Sequence, residues 1–247
     1  MAGHKERFLE IDLLRTVAIL MMIVYHICFD LAFFYDFPID PLSGWLLVLQ
    51  RSTAILFLLL VGISFSVSFG RMRNRNAGYP ELFRKYFQNG IGLILIGEVI
   101  SIVTWFAVGD LYVRFGILHL IGASLILAPL FMPLREANLF LAPIVWYGGT
   151  VLSNIFLSSS FLLPLGITRP DFNSIDYFPL FPWFAAVLTG MAAGNFLYNR
   201  GFLKIHIKQT PVTWRITSPG RHSLMIYLLH QPILLGFLKF LGFFKIL

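Results

Sequence analysis

Residues 8–35, FLEIDLLRTVAILMMIVYHICFDLAFFY, decide the fold class. About 20 mostly apolar residues let a helix cross a bilayer, and this run is longer than that. It nonetheless carries Asp12, Arg15, His26 and Asp30. At 3.6 residues per turn, Asp12 and Asp30 share an azimuth, Arg15 and His26 are close to three turns apart, and His26 and Asp30 are i,i+4 neighbours. One narrow stripe is therefore ionisable and the rest is lipid-like. A charge at mid-depth costs about 2.5–3.5 kcal/mol on insertion scales, so such groups normally face a bundle interior or a wet cavity and mark function.

The rest of the chain repeats the apolar theme. It is 57% hydrophobic and 13% charged, with a mean hydropathy of +0.78, far from a soluble average. Seven spans are expected, at 10–35, 44–69, 86–108, 114–132, 138–157, 179–199 and 222–243. The fold class is all-α: a polytopic helical membrane protein whose residues 1–247 form a single domain. Lys5 and Arg7 before the first span resemble a signal peptide, but its length and four ionisable side chains predict a retained helix. The N-terminus and the second, fourth and sixth connections collect 13 of the 19 Lys and Arg. Asp36, Asp40, Asp110, Asp171 and Asp176 fall on the opposite side. The N-terminus is thus expected in the cytoplasm, the C-terminus outside, and the protein in the cell membrane as a multi-pass chain. The net charge of +7 follows this topology and is no nucleic-acid footprint. Membrane lipids are expected partners, and a homodimer is left open.

With this orientation, His26 and Asp30 lie in the outer half, with Arg51, Arg114 and His119. Asp12 and Arg15 lie near the cytoplasmic face, Glu98 near the middle of span three, and His230 a third of the way along span seven. Groups from five spans are what a single polar cavity would present. Within it, a carboxylate one turn from His26 would fix the imidazole tautomer and make a general base. The alternative is a polar pair that only locks helix packing. Its spacing is HxxxD, not the HxxxxD of soluble glycerolipid acyltransferases. Asp12 and Arg15 read equally as an interfacial ion pair. Arg51 suits a carboxylate or phosphate or snorkels to the headgroups. Arg71, Arg73 and Arg75 suit nucleotide phosphates or anionic lipids. Gly190 and Gly194 form a small-xxx-small pair suited to helix packing. Lone Cys28 excludes an intramolecular disulfide, and the histidine spacing predicts no metal site. No P-loop, dinucleotide GxGxxG, CxxC or GxSxG is present.

Five blocks together resemble a known family. They are RFLEIDLLRTVAILMMIVYHICFDLAFF from residue 7, RSTAILFLLLVGISFSVS at 51–68, RFGILHLIGASLIL at 114–127, DYFPLFPWFAAVLTGMAAG at 176–194 and GRHSLMIYLLHQPIL at 220–234. They are similar, in order, to the DUF1624 family, related to the catalytic domain of heparan-α-glucosaminide N-acetyltransferase. The family's frequent Arg-Gly reads Arg15-Thr16 here. The resemblance implies a transmembrane acyltransferase that takes acetyl-CoA or another acyl-CoA from the cytoplasm. The acceptor, an amine or hydroxyl of a sugar or glycoconjugate, would be acylated near the outer face. On that basis His26 and Asp30 are the catalytic candidates. Arg51, Arg114, His119, His230 and Gln231 are expected to line the acceptor or thioester pocket, and Asp12 and Arg15 to meet the CoA. A proton- or ion-coupled transporter, in which buried groups relay charge, and a non-catalytic lipid or glycolipid binder are the competing classes.

Overall fold

The computed structural model describes residues 8–203 and 208–243, so Lys5, Arg7 and Lys204 of the basic segments lie outside the described residues. Helix α1 (Leu9–Tyr35) ends where Asp36 takes a left-handed conformation and its N–H reaches the Leu31 carbonyl. The other long helices are α2 (Gly44–Arg73), α3 (Tyr79–Val108), α4 (Ile117–Phe131), α5 (Asn138–Leu152), α6 (Leu180–Gly194) and α9 (Ser223–Phe243). Two short helices, α7 (Pro211–Ile216) and α8 (Ser218–Arg221), precede α9. The chain divides into two compact units, 1–57 with 205–247, and 58–204.

In the first unit α1 and α9 run parallel. Asp12 meets Gly220 just before α9, His26 meets His230, Asp30 meets Gln231, and Tyr35 meets Gly242. Gly220 is required at this crossing, because a Cβ there would sit 1.9 Å from the Asp12 carbonyl oxygen. Thr16 completes the junction. Its Oγ1 accepts the Gly220 N–H at 3.0 Å, and its hydroxyl hydrogen faces the Asp12 carbonyl at 3.0 Å and that of Ile216 at 3.2 Å.

In the second unit, helices approach through small residues. A Cβ on Gly62 would fall 2.1 Å from the Val187 carbonyl oxygen, and one on Gly190 would fall 2.2 Å from that of Leu59. The Gly190–Gly194 pair is thus a packing surface between α6 and the second half of α2. Helices α3 and α4 pack antiparallel: Tyr79 Oη donates to the Pro129 carbonyl at one end, and Gly97 lies against His119 nearer the other.

Among the described residues, six helices are long and apolar enough to cross a membrane, with 117–152 taken as one. That stretch reverses at Arg135, whose φ of 50° and ψ of −121° break the helix. Asn138 Nδ2 ties the corner by donating to the Phe131 and Arg135 carbonyls. Beyond it, α5 returns beside α6, with Gly149 against Pro182 at one end and Glu136 against Asn195 at the other. Counting the two arms separately gives seven spans among the described residues. An odd number is also what parallel first and last spans require.

Two boundaries depart by five residues or more from expectation, and one connection is not a plain loop. The third span starts at Tyr79 rather than residue 86, since Pro80 suits a first turn and Lys85 turns inward to Ser68 and Met72. The fifth ends at Leu152 rather than 157. The last connection holds α7, started by a capping box between Thr210 and Thr213 with Pro211 at the first position.

Candidate functional site

The polar stripe of α1 faces α9. His26 Nδ1 lies 2.9 Å from the Met22 carbonyl oxygen. Because a carbonyl only accepts, Nδ1 carries the hydrogen and Nε2 keeps its lone pair. His230 repeats this on α9, with Nδ1 2.6 Å from the Tyr227 carbonyl oxygen. The two rings stand at 79° with centroids 4.7 Å apart.

Asp30 does not orient His26 as its i,i+4 spacing suggested. The Met22 carbonyl fixes that ring, while Asp30 Oδ1 accepts a 2.6 Å hydrogen bond from Gln231 Nε2 across to α9. Asp30 is 0% exposed and His230 8%. Asp30 Oδ2, His230 Nε2 and Gln231 Oε1 are buried without a hydrogen-bond partner among the described residues. With a carboxylate and the stated tautomer, all three are acceptors. The site is therefore rich in lone pairs and short of donors.

The N-terminal end of α1 is arranged differently. Arg15 Nη1 lies 3.3 Å from Asp12 Oδ1, and Asp12 is buried beside the Thr16–Gly220 junction. Nearby in sequence, Arg221 stacks 3.6 Å over Trp214 and donates to the Thr217 hydroxyl and the Trp214 carbonyl. Arg51 is exposed on the first half of α2.

Arg114 and His119 belong to the second unit. His119 is 3% exposed, stacks on Phe115 and places Nε2 3.3 Å from Glu98 Oε1. Arg114 lies 4.5 Å over Tyr112 and 5.8 Å from Phe172, and donates to the Asp110 carbonyl at 3.0 Å. Asp176 Oδ2 accepts the Ile117 N–H at the start of α4, and burial pushes its carboxyl up to about 6. Burial likewise raises the Tyr177 phenol, which donates to the Leu163 carbonyl.

A second polar cluster in this unit was not foreseen. Glu136 accepts Asn195 Nδ2 at 2.7 Å and Arg200 Nε at 2.7 Å through Oε1, and Arg200 Nη2 at 2.8 Å through Oε2. Asn199 donates to Ser66 and to Asn195. The Asn195–Asn199 spacing, on a π-helical turn closing α6, was the available sequence signal.

These helices and buried polar groups define a multi-pass α-helical membrane protein with ionisable side chains inside its spans. The model of the family heparan-alpha-glucosaminide N-acetyltransferase, catalytic, matches residues 7–232, and the chain belongs to that family. Membership puts it in the class of transmembrane acetyltransferases. No curated protein and no solved structure matches it.

Proposed function

We propose that the protein is an integral-membrane acyltransferase. It moves an acetyl group from acetyl-CoA, or a related acyl group from its CoA thioester, to an amine or hydroxyl of a sugar or glycoconjugate near the outer face of the cell membrane. The observation that carries this reading is the fixed tautomer of His26, which leaves Nε2 as a lone pair inside a membrane helix. As the acceptor attacks the thioester carbonyl, Nε2 takes its proton. The new C–N or C–O bond forms, the C–S bond breaks, and the sulfur leaves with the electron pair and is protonated to the thiol. Asp30 and Gln231 bind the acceptor through their free oxygens. This donor-poor lining suits an amine best, since a primary ammonium brings three N–H groups; it gives one proton to Asp30 Oδ2 to become the nucleophile and a second to His26 Nε2 as it attacks. Arg15 and Asp12, at the cytoplasmic end, stand where the CoA arrives.

The test is thiol release from acetyl-CoA by purified protein with glucosamine, alongside His26→Ala and His26→Gln. Turnover in the native protein that both variants abolish, with folding intact, supports the reading. Absence of turnover combined with no thermal shift from acetyl-CoA overturns it, and pH-dependent ion flux into liposomes would then favour a transporter.

A further inference from the structure

The two short helices α7 and α8 carry an ordered aromatic surface at the end of the first unit where α1 begins. Thr16 pins them there, since its hydroxyl group faces the Ile216 carbonyl at the end of α7 and accepts the Gly220 N–H in α8. Trp214 of α7 is 44% exposed although one face of its indole is already covered by the Arg221 guanidinium, 3.6 Å over the ring. Arg221 is held in turn by two hydrogen bonds, Nη1 to the Thr217 hydroxyl at 2.7 Å and Nη2 to the Trp214 carbonyl at 2.8 Å. Thr217 is buried, and its own hydroxyl donates to the Thr213 carbonyl. The indole thus has a fixed back and an open front.

An indole near a membrane surface commonly serves as an anchor among the headgroups. The register of α7 points elsewhere. Its exposed apolar residues Val212 and Ile216 are i,i+4 neighbours on one face. Trp214 is two residues from each, so at 3.6 residues per turn it projects from the opposite face. The side of α7 suited to lipid is therefore not the side that carries the indole. Lys208 and Arg215, both exposed, lie on the same connection, and Arg15 directly precedes Thr16 on α1.

We infer that Trp214, backed by Arg221, is the platform on which the adenine ring of acyl-CoA stacks. This rests on the acyltransferase reading, which brings the donor to this end of α1. Every nucleic base has a flat π face that stacks on an aromatic side chain, and a guanidinium plane packed on the far side keeps the indole from turning away. Lys208 and Arg215 supply positive charge for the nucleotide phosphates. Between Thr16 and His26 lie ten steps of helix, about 15 Å at 1.5 Å per residue, a gap that an extended pantetheine arm bridges. Stacking at Trp214 would thus hold the nucleotide while the thioester reaches the buried histidine.

Tryptophan emission and calorimetric affinity, measured on the purified full chain in detergent, test this. Acetyl-CoA and the free adenosine bisphosphate of its nucleotide end should quench the emission. Acetyl-pantetheine, which carries the same thioester without the nucleotide, should not. Trp214→Ala should weaken acetyl-CoA binding about 5- to 150-fold, the range of one base–aromatic stack. Trp214→Phe should keep most of the affinity and lose the quenching, a combination that a merely structural role would not give. Unfolding midpoints establish that each variant is folded. Unchanged acetyl-CoA affinity in Trp214→Ala, or quenching that survives Trp214→Phe, overturns the inference and leaves the acyltransferase reading in place. So does quenching of Trp214 by brominated phospholipid in nanodiscs, which would put the indole among lipid chains. A folded native protein that binds no acetyl-CoA overturns both.

Discussion

Gln231 Nε2 donates a 2.6 Å hydrogen bond to Asp30 Oδ1, joining two helices through residues 201 positions apart in the chain. Asp30 is fully buried, and this bond supplies its side chain with a donor from the facing helix. Gln231→Leu should leave both carboxyl oxygens without that donor, which costs about 1–3 kcal/mol for a buried group. Unfolding midpoints in detergent, followed through the reaction of Cys28 with a thiol dye, would read the loss. Asp30→Leu combined with Gln231→Leu should cost less than the sum of the singles, because the double variant leaves neither partner stranded. Strict additivity would show that the two side chains are not coupled.

The junction at the other end of the same helix pair should be less tolerant. Gly220→Ala places a methyl 1.9 Å from a backbone oxygen of α1, and neither backbone can withdraw without opening the helix contact. Thr16→Val keeps the shape and removes the hydroxyl that accepts the Gly220 N–H, at about 1–3 kcal/mol for the stranded donor. Gly220→Ala is therefore expected to be the more damaging, read as folded yield and unfolding midpoint. An alanine variant with the native midpoint would mean that the close approach is relieved at little cost.

Much of α1 was legible because its information is local. The 3.6-residue period puts Asp12 and Asp30 on one azimuth, and those two and Thr16 are buried together along it. The same local rule went astray at His26. An i,i+4 carboxylate is within reach, but Met22 offers a carbonyl at the same spacing on the other side, and Gln231 competes for Asp30. Nothing within either helix sets the register between α1 and α9, so sequence spacing does not choose between those partners. The Glu136–Asn195–Arg200 cluster was hidden for a similar reason. Its members are 59 and 64 residues apart and meet only because α5 folds back beside α6. The charged residues of 79–85 read as part of a connection, although Pro80 marks a helix start.

The connection before α6 should respond to pH. The Asp176 carboxyl rises from 3.8 to about 6 on burial, so between those values the folded protein binds more protons than the unfolded chain. The stability this group contributes is therefore fully present below about 4 and is lost as pH rises through about 6. Hydrogen exchange across residues 166–178 should be slower at pH 4 than at pH 7, after correction for the intrinsic rate. In Asp176→Asn the difference should disappear. Exchange that slows as pH rises, or an unchanged profile in the asparagine variant, would place the titrating group elsewhere.

The cluster around Glu136 separates two contributions that a bidentate ion pair tends to merge. Arg200 is half exposed, with 50% of its side chain open, and a pair of that kind is worth about 0–1 kcal/mol even with good geometry. Asn195 is 8% exposed, and its amide donates to the same carboxylate. Removing the carboxylate strands a buried donor, which costs about 1–3 kcal/mol. Glu136→Ala should therefore lower the unfolding midpoint clearly more than Arg200→Ala, and Glu136→Gln, which still offers an oxygen to Asn195, should recover most of the difference. If Arg200→Ala proved as costly as Glu136→Ala, the ion pair rather than the buried amide would be holding the α4–α5 corner to the end of α6.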